Sequence, residues 1–290
     1  MPATFAFNPH HKSYDPSRML LHRDMPIPQL GRHRNVRVYL PVGYRDGNLR
    51  YPVLYMHDGQ NVFEPELCLS GASWQAAEQL DALQSAGKAN AMIIVAIDCS
   101  PQRGHLGRRD EYSPWPISPP PALADWAQAS QPQGGEGQAY CDFIVETLKP
   151  FIDSRYRTRA TREHTYIAGS SMGGFISLYA ALRHQDTFSM AGVFSPAFWF
   201  AAGPMRAWIE QTPITRPMRI YMDIGTNETS DDAISAFPAL YYDLAVDFAE
   251  LLSSKSNDLR CDFSIDHGAV HSETAWARRF CAMIEKLTLC

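Results

Sequence analysis

Residues 91–98, AMIIVAID, offer no polar face to either side of an extended chain. Side chains of a strand alternate between two faces. A strand apolar on both must be covered on both, as in the centre of a parallel sheet. A further apolar run lies at 51–59 (YPVLYMHDG), and strands are also read at 164–171 (HTYIAGSS), 190–196 (MAGVFSP), 218–225 (MRIYMDIG) and 260–266 (RCDFSID). Segments of helical composition are read at 73–86, 139–156, 172–184, 236–254 and 273–287, with Ser73 a candidate cap for the first. RNVRVYLP, at 34–41, alternates apolar and polar positions and suits a half-buried strand. Strand and helix in alternation predict an α/β protein, its mostly parallel sheet covered by helices on both faces. Ligands of such sheets bind beyond the carboxyl ends of the strands.

The chain has 290 residues, which an α/β fold can accommodate as one domain. We expect a single domain over 1–290, with an N-terminal surface arm and lead-in strand over 1–33. The stretch 101–139 is rich in Pro and Gly and reads as a lid-like insertion. The net charge of −5, without a long run of one sign, argues against a nucleic-acid partner. No apolar run reaches the roughly 18 residues a bilayer span requires, so no membrane partner is expected. The first residues lack a basic region followed by an apolar one, unlike a secretory signal. Six cysteines (Cys68, Cys99, Cys141, Cys261, Cys281 and Cys290) are scattered with no C-x-x-C pair. They read as free thiols in a reducing, cytoplasmic compartment. His10 and His11 are adjacent in a polar arm, and neither H-E-x-x-H nor H-x-x-E-H occurs. No metal or organic cofactor is expected.

Gly169-Ser170-Ser171-Met172-Gly173 matches G-x-S-x-G with Ser171 at its centre. The match alone arises by chance in roughly one chain of this length in ten. Its context is more specific: an apolar strand precedes it and a glycine-opened helix follows. A sharp strand-to-helix turn puts the serine at its apex, and small residues two positions either side keep neighbouring side chains from colliding. The helix N-terminus then presents free N–H groups to developing negative charge.

A serine hydroxyl needs a base to take its proton. In this arrangement the partners follow in the order serine, acid, histidine. Three histidines follow Ser171: His184, His267 and His271. His184 ends the helix that Ser171 begins, several turns away. His267 and His271 fall in DHGAVHSETAW, read as the loop after the last strand, and His271, just before a helix, is the preferred base. The acid should follow the penultimate strand, where Glu228, Asp231 and Asp232 stand; Asp223 lies within that strand. Glu228, the first carboxylate after Gly225, is chosen, with Asp231 and Asp232 left open. Oxyanion donors are expected from the N–H of Met172 and from the loop after an earlier strand, where Gly59 permits close approach and Gln60 supplies the N–H. His57 ends a buried strand and reads as structural. Asp110, Glu111, Tyr112, Trp115 and Trp126 are candidates to line the acyl or alcohol pocket.

Together these residues resemble the "putative esterase" family, which includes esterase D (S-formylglutathione hydrolase), enterochelin esterases, feruloyl esterases and mycolyltransferases. The segments that carry the resemblance run from about 36 to about 287: VRVYLPVGY, YPVLYMHDGQNVF, RRDEYSPW, GGEGQAYCDFIVETLKPFIDSRYRT, IAGSSMGGFISLYA, FSPAFW, DIGTNE and HSETAW. The resemblance implies an α/β-hydrolase fold and a small-molecule ester substrate. It also implies a serine triad with Ser171 as nucleophile, His271 as base, and Gln60 and Met172 as oxyanion donors. The acid's position varies among members, so Glu228, Asp231 and Asp232 remain in play. The stretch 113–135 is peculiar to this chain, and substrate choice is expected to reside there. An acyltransferase with the same triad, or a hydrolase fold kept only for binding, are the alternative functions.

Overall fold

The computed structural model describes residues 15–68, 70–125 and 131–288. The first 14 residues of the expected arm, with His10 and His11, lie outside the described residues, as do Trp126 and Cys290. Strands form at Met19–Ile27 (β1), Arg32–Tyr39 (β2), Val53–His57 (β3), Ile93–Ile97 (β4), Thr165–Ser170 (β5), Met190–Phe194 (β6), Met218–Asn227 (β7) and Leu259–Val270 (β8). They make one sheet in the order β1-β2-β4-β3-β5-β6-β7-β8. β1 pairs antiparallel with β2, and β2 with β4; all other neighbours are parallel.

The two-sided burial inferred for 91–98 holds. Ile93, Val95 and Ile97 enter one core with Val53, Tyr55 and Ile167, whereas Ile94 and Ala96 enter another with Leu54, Met56 and Ala168. Helices Ala76–Ser85 (α1) and Glu273–Thr288 (α8) cover the second face through residues such as Leu80, Trp276 and Phe280. Helices Gly137–Phe143 (α3), Lys149–Arg155 (α4), Met172–Arg183 (α5), Ala202–Gln211 (α6) and Phe237–Lys255 (α7) cover the first. A π-helical turn at Ile144–Leu148 joins α3 to α4. Pro150 offers no N–H to the preceding turn, and the widened spacing absorbs the loss.

Several expectations are corrected. Ser73 does not cap α1: Gln75 is the N-cap and makes no side-chain cap bond, while the Ser73 hydroxyl donates to the Phe63 carbonyl. Helix α6 was not anticipated. β8 runs past the expected end to Val270, because it keeps pairing with β7 beyond a register shift between Gly225 and Asn227. His267 therefore lies within the strand, not in a loop. The stretch 101–139 contains a short helix, His105–Glu111 (α2), and buries Glu111, Tyr112, Ser113 and Leu123 in the body of the protein. Its remaining loop is pinched by an antiparallel bridge between Pro116 and Gly134.

Between β3 and β5 the winding direction reverses. β3 continues to β4 on one side, and β5 continues to β6 on the other. A crevice opens at such a switch point.

Packing between β6 and α8 leaves no spare volume at Gly192. A Cβ there would lie 2.2 Å from Met283 Sδ and 2.9 Å from Ala168 Cβ. Gly192→Ala is expected to cost about 1–3 kcal/mol by overpacking. Combined with Met283→Ala it should lose less than the sum of the two single changes, as read from urea unfolding.

Candidate active site

Ser171 is the N-cap of α5, with φ 59° and ψ −123°. This conformation is rare for a residue with a side chain and is maintained only where surrounding bonds over-determine it. Here the Ser171 N–H donates to the Phe194 carbonyl at 2.9 Å, and its own carbonyl accepts the N–H groups of Phe175 and Ala197, both at 3.0 Å. The glycines around it let strand and helix approach: a Cβ on Gly169 would fall 2.8 Å from the Gly173 backbone, and one on Gly174 3.0 Å from the Phe194 carbonyl oxygen.

His271 directly follows β8, and Glu228 directly follows β7. His271 Nδ1 and Glu228 Oε2 are 2.7 Å apart. The carboxylate only accepts, so Nδ1 carries a proton, and in the neutral imidazole the lone pair is then on Nε2. Nε2 faces the Tyr241 hydroxyl at 3.5 Å. That hydroxyl also contacts the Ser171 side chain and shares a 2.6 Å hydrogen bond with Ser230. Ser171, His271 and Glu228, distant in sequence, thus converge, with Tyr241 of α7 touching both the serine and the histidine. Glu228 is fully buried. Burial raises its pKa, but the hydrogen bond and charge of His271, then the Ser195 hydroxyl and Arg279, more than offset this and hold it below the ordinary range. Asp231 N–H bonds to the nearby Thr229 hydroxyl, and Asp231 Oδ1 accepts the N–H of Ala233, two residues on; Asp232 is exposed. Neither approaches His271.

The loop after β3 turns at Asp58, φ 54°, into a 3-10 turn, Gly59–Asn61. Gly59 is packed on β4, where a Cβ would sit 2.7 Å from the Ala96 carbonyl carbon. Gln60 and Met172 are each in the first turn of a helical segment, where N–H groups have no partner inside the helix. The Gln60 side chain is fastened to Cys99: Oε1 accepts the Cys99 N–H at 3.0 Å, and Nε2 lies 3.3 Å from Cys99 Sγ.

A cavity of about 870 Å³ opens at this edge, lined by Ser171, His271, Gln60, Asn61, Trp276 and Glu273 among others. A second, of about 600 Å³, opens beside Pro52, Met218 and Lys286, at the amino-terminal edge of the strands. Parallel sheets bind ligands at the carboxyl edge, so chemistry belongs to the first. Cys99 also borders that cavity, but burial pushes its thiol up to about 12, which makes it no rival nucleophile. His57 is buried against Tyr140, and burial pulls its pKa down to about 3, which leaves it neutral.

Of the pocket residues inferred from sequence, Asp110, Glu111, Tyr112 and Trp115 do not line this cavity, and Trp126 lies outside the described residues. Asp110 accepts from Arg103 at 2.8 Å and from the Gly134 N–H at 2.9 Å. Glu111 is fully buried in a bidentate pair with Arg34, 2.6 and 2.8 Å, and a third bond to Arg32 at 3.0 Å. The Tyr112 hydroxyl accepts the Asp58 N–H at 3.1 Å. Trp115 packs edge-on against Phe175, Tyr179 and Trp208. The physical reason is common to all four: their polar atoms or rings are already engaged in the body of the protein. Arg108 is the member of RRDEYSPW that does reach the cavity, holding the Asp58 carboxylate bidentately at 2.6 and 2.8 Å. The segment buttresses the turn that carries Gln60. Tyr241, Ser195 and Arg279 also belong to the site; no spacing rule in the sequence singles them out.

The family model described as "putative esterase" matches residues 27–287. The chain is 25% identical over 256 residues to the uncharacterized protein YbbA of Bacillus subtilis (strain 168), covering 88% of this chain and 92% of that one. Its fold is similar to an IroE-like serine hydrolase from Shewanella oneidensis, with a TM-score of 0.73, 20% identity, and 94% and 82% of the two chains covered. It is also similar to the siderophore hydrolase EstA from Aspergillus nidulans, with a TM-score of 0.71, 17% identity and 98% of each chain covered. Among the described residues no helix is long and apolar enough to cross a membrane.

Glu111→Ala would strand the Arg34 guanidinium, 3% exposed, without its carboxylate. We expect a loss of roughly 3–5 kcal/mol in unfolding free energy and an unchanged KM for ester substrates at temperatures where the variant is folded. A raised KM without that loss of stability would return Glu111 to the binding pocket.

Proposed function

The chain belongs to the "putative esterase" family of α/β hydrolases, and from that premise we propose a serine carboxylic-ester hydrolase. It works through an acyl-enzyme on Ser171, with His271 as general base and Glu228 as the acid that orients it. The observation that carries this reading is the 2.7 Å bond from His271 Nδ1 to the buried Glu228 carboxylate, with Nε2 turned toward the hydroxyl cluster that contains Ser171. The Tyr241 hydroxyl touches both the serine and the histidine.

Ser171 Oγ attacks the ester carbonyl carbon while its proton passes to His271 Nε2. The carbonyl oxygen becomes an oxyanion, held by the N–H groups of Gln60 and Met172. As the intermediate collapses, the carbon–oxygen bond to the leaving alcohol breaks and His271 returns its proton to that oxygen. Water then attacks the acyl-enzyme carbonyl carbon, giving one proton to His271; the bond from that carbon to Ser171 Oγ breaks, His271 returns the proton to Oγ, and the carboxylic acid leaves. Glu228 stabilises the imidazolium in both steps without taking the proton. In the acyltransferase form of the same chemistry, an alcohol replaces water. The substrate is a small-molecule ester, and the position of the cavity beside Trp276, Asn61 and Glu273 makes these residues its closest neighbours. The cytoplasmic address is part of the same reading, supported by the free thiols of Cys68, Cys99, Cys141, Cys261 and Cys281.

Hydrolysis of p-nitrophenyl acetate and butyrate tests the mechanism. Ser171→Ala should lower kcat by about 10⁴- to 10⁶-fold, and Glu228→Gln by about 10³- to 10⁴-fold. Asp231→Asn and Asp232→Asn should remain near wild type; a large loss in either would displace Glu228 as the acid. Added alcohols, with products separated by chromatography, tell hydrolysis from acyl transfer.

The depressed pKa of Glu228 also sets a pH dependence. A carboxylate whose folded pKa lies below its ordinary 4.5 contributes stability that is fully present above that value. The contribution is lost as pH falls through the folded value. Urea unfolding of wild type and Glu228→Gln should therefore differ most above about pH 5 and converge in acid.

A further inference from the structure

Ser195 lies in FSPAFW, just past β6. It is fully buried and has φ 40°, in the left-handed region that side-chain-bearing residues seldom occupy. Its hydroxyl makes three hydrogen bonds: from Trp276 Nε1 at 2.9 Å, from Arg279 Nη2 at 3.0 Å, and to Glu228 Oε1 at 2.6 Å. Their directions are dictated by chemistry. Indole and guanidinium N–H groups only donate, and an ionised carboxylate only accepts. With both lone pairs of Ser195 Oγ taken, its single proton has one destination, Glu228 Oε1.

We propose that Ser195 is a positioning residue for the catalytic acid. Its fixed hydroxyl, together with the Gly225 N–H, occupies Oε1 of Glu228 and leaves Oε2 to face His271 Nδ1. The inference rests on the assignment of Ser171, His271 and Glu228 given above.

The surroundings agree with this role. The Gly225 N–H reaches the same Oε1 at 2.8 Å. A Cβ on Gly225 would lie 2.6 Å from that oxygen and 2.4 Å from the Ala269 carbonyl oxygen, so the carboxylate can fold back only over a glycine. Ser195 itself is anchored by its N–H, which donates to the Asp223 carbonyl at 3.0 Å and lies 3.2 Å from Asp223 Oδ1. From α8, Arg279 sits 3.1 Å from Asp223 Oδ1, 3.7 Å from Glu228 Oε1 and 3.8 Å from Asp266 Oδ2 of β8. From α7, the Tyr241 hydroxyl faces the same cluster. The Trp276 ring meets the His271 ring edge-on at 4.9 Å. Burial pushes Asp223 up to about 7, against the pull of Arg279; it is retained in every variant below.

The test is the pH profile of kcat/KM for p-nitrophenyl butyrate in Ser195→Ala, Trp276→Phe and the double variant, with Ser171→Ala as control. Loss of a donor makes the carboxylate more basic and strengthens its hold on the protonated imidazole. Ser195→Ala should lower kcat about tenfold with KM unchanged, and move the acidic limb to higher pH by about half a unit. Trp276→Phe keeps a ring but frees the Ser195 hydroxyl to turn, so the limb should move the same way by less. The double variant should match Ser195→Ala, since the indole N–H acts on the acid through that hydroxyl. Ser195→Gly, which relieves the positive φ, carries the test should the alanine variant not fold. An unmoved acidic limb in active, folded variants would overturn the proposal and leave Ser195 a packing residue. Additive shifts would overturn it too. Activity surviving in Ser171→Ala would instead overturn the triad assignment, and the proposal with it.

Discussion

The backbone at Ser171 holds φ 59° where strand β5 meets helix α5, and positions 169, 173 and 174 around it carry no side chain. Gly169 and Gly173 touch across the turn, Gly174 lies under the Phe194 carbonyl, and three backbone hydrogen bonds pin Ser171 itself. Much of the molecule follows from this turn. Strand β6 and the loop after it supply Phe194 and Ala197 on one side. On the other stand His57 and Asp58, the nearest side chains to Gly173. The strain is local, and the structure that offsets it is the sheet edge itself.

A second constraint is the burial of charge next to that edge. Glu228, Asp223 and Arg279 are all buried, as are Glu111 and Arg34 farther along. Removing a charge from water is costly unless donors and counter-charges replace the solvent. Each carboxylate here has such partners. Glu228 has His271, Ser195 and the Gly225 N–H; Glu111 has Arg34 and Arg32. The two clusters serve different ends of the site. One lies behind the His271 imidazole. The other, through α2 and Tyr112, supports the Asp58 turn next to Gln60.

Residues of RRDEYSPW show why site composition is harder to read than site position. Charged and aromatic residues in a Pro-rich stretch resemble a binding surface. Asp110, Glu111 and Tyr112 are nonetheless buried, and their polar atoms are satisfied within the protein. Sequence alone does not distinguish a carboxylate that meets a ligand from one that meets an arginine 77 residues earlier, as Glu111 meets Arg34. Tyr241 is the converse case. Nothing in the α7 sequence marks it, yet its hydroxyl reaches the Ser171 and His271 side chains. His267 and His271 differ in sequence only by position, and the extension of β8 to Val270 separates them.

What the sequence determined by itself was the architecture and the turn. Apolar runs with two buried faces point to a covered parallel sheet, and G-x-S-x-G between a strand and a helix points to a sharp elbow. Both are local, because they depend on side-chain period and on the absence of Cβ atoms within a few residues. The tertiary structure alone decided which groups meet. The pairing of Glu228 with His271, the hydroxyl of Ser195 between Trp276, Arg279 and Glu228, and the burial of Glu111 against Arg34 join residues tens of positions apart. Their energies come from mutual desolvation and from donor direction, which exist only once the sheet has brought the strand ends together.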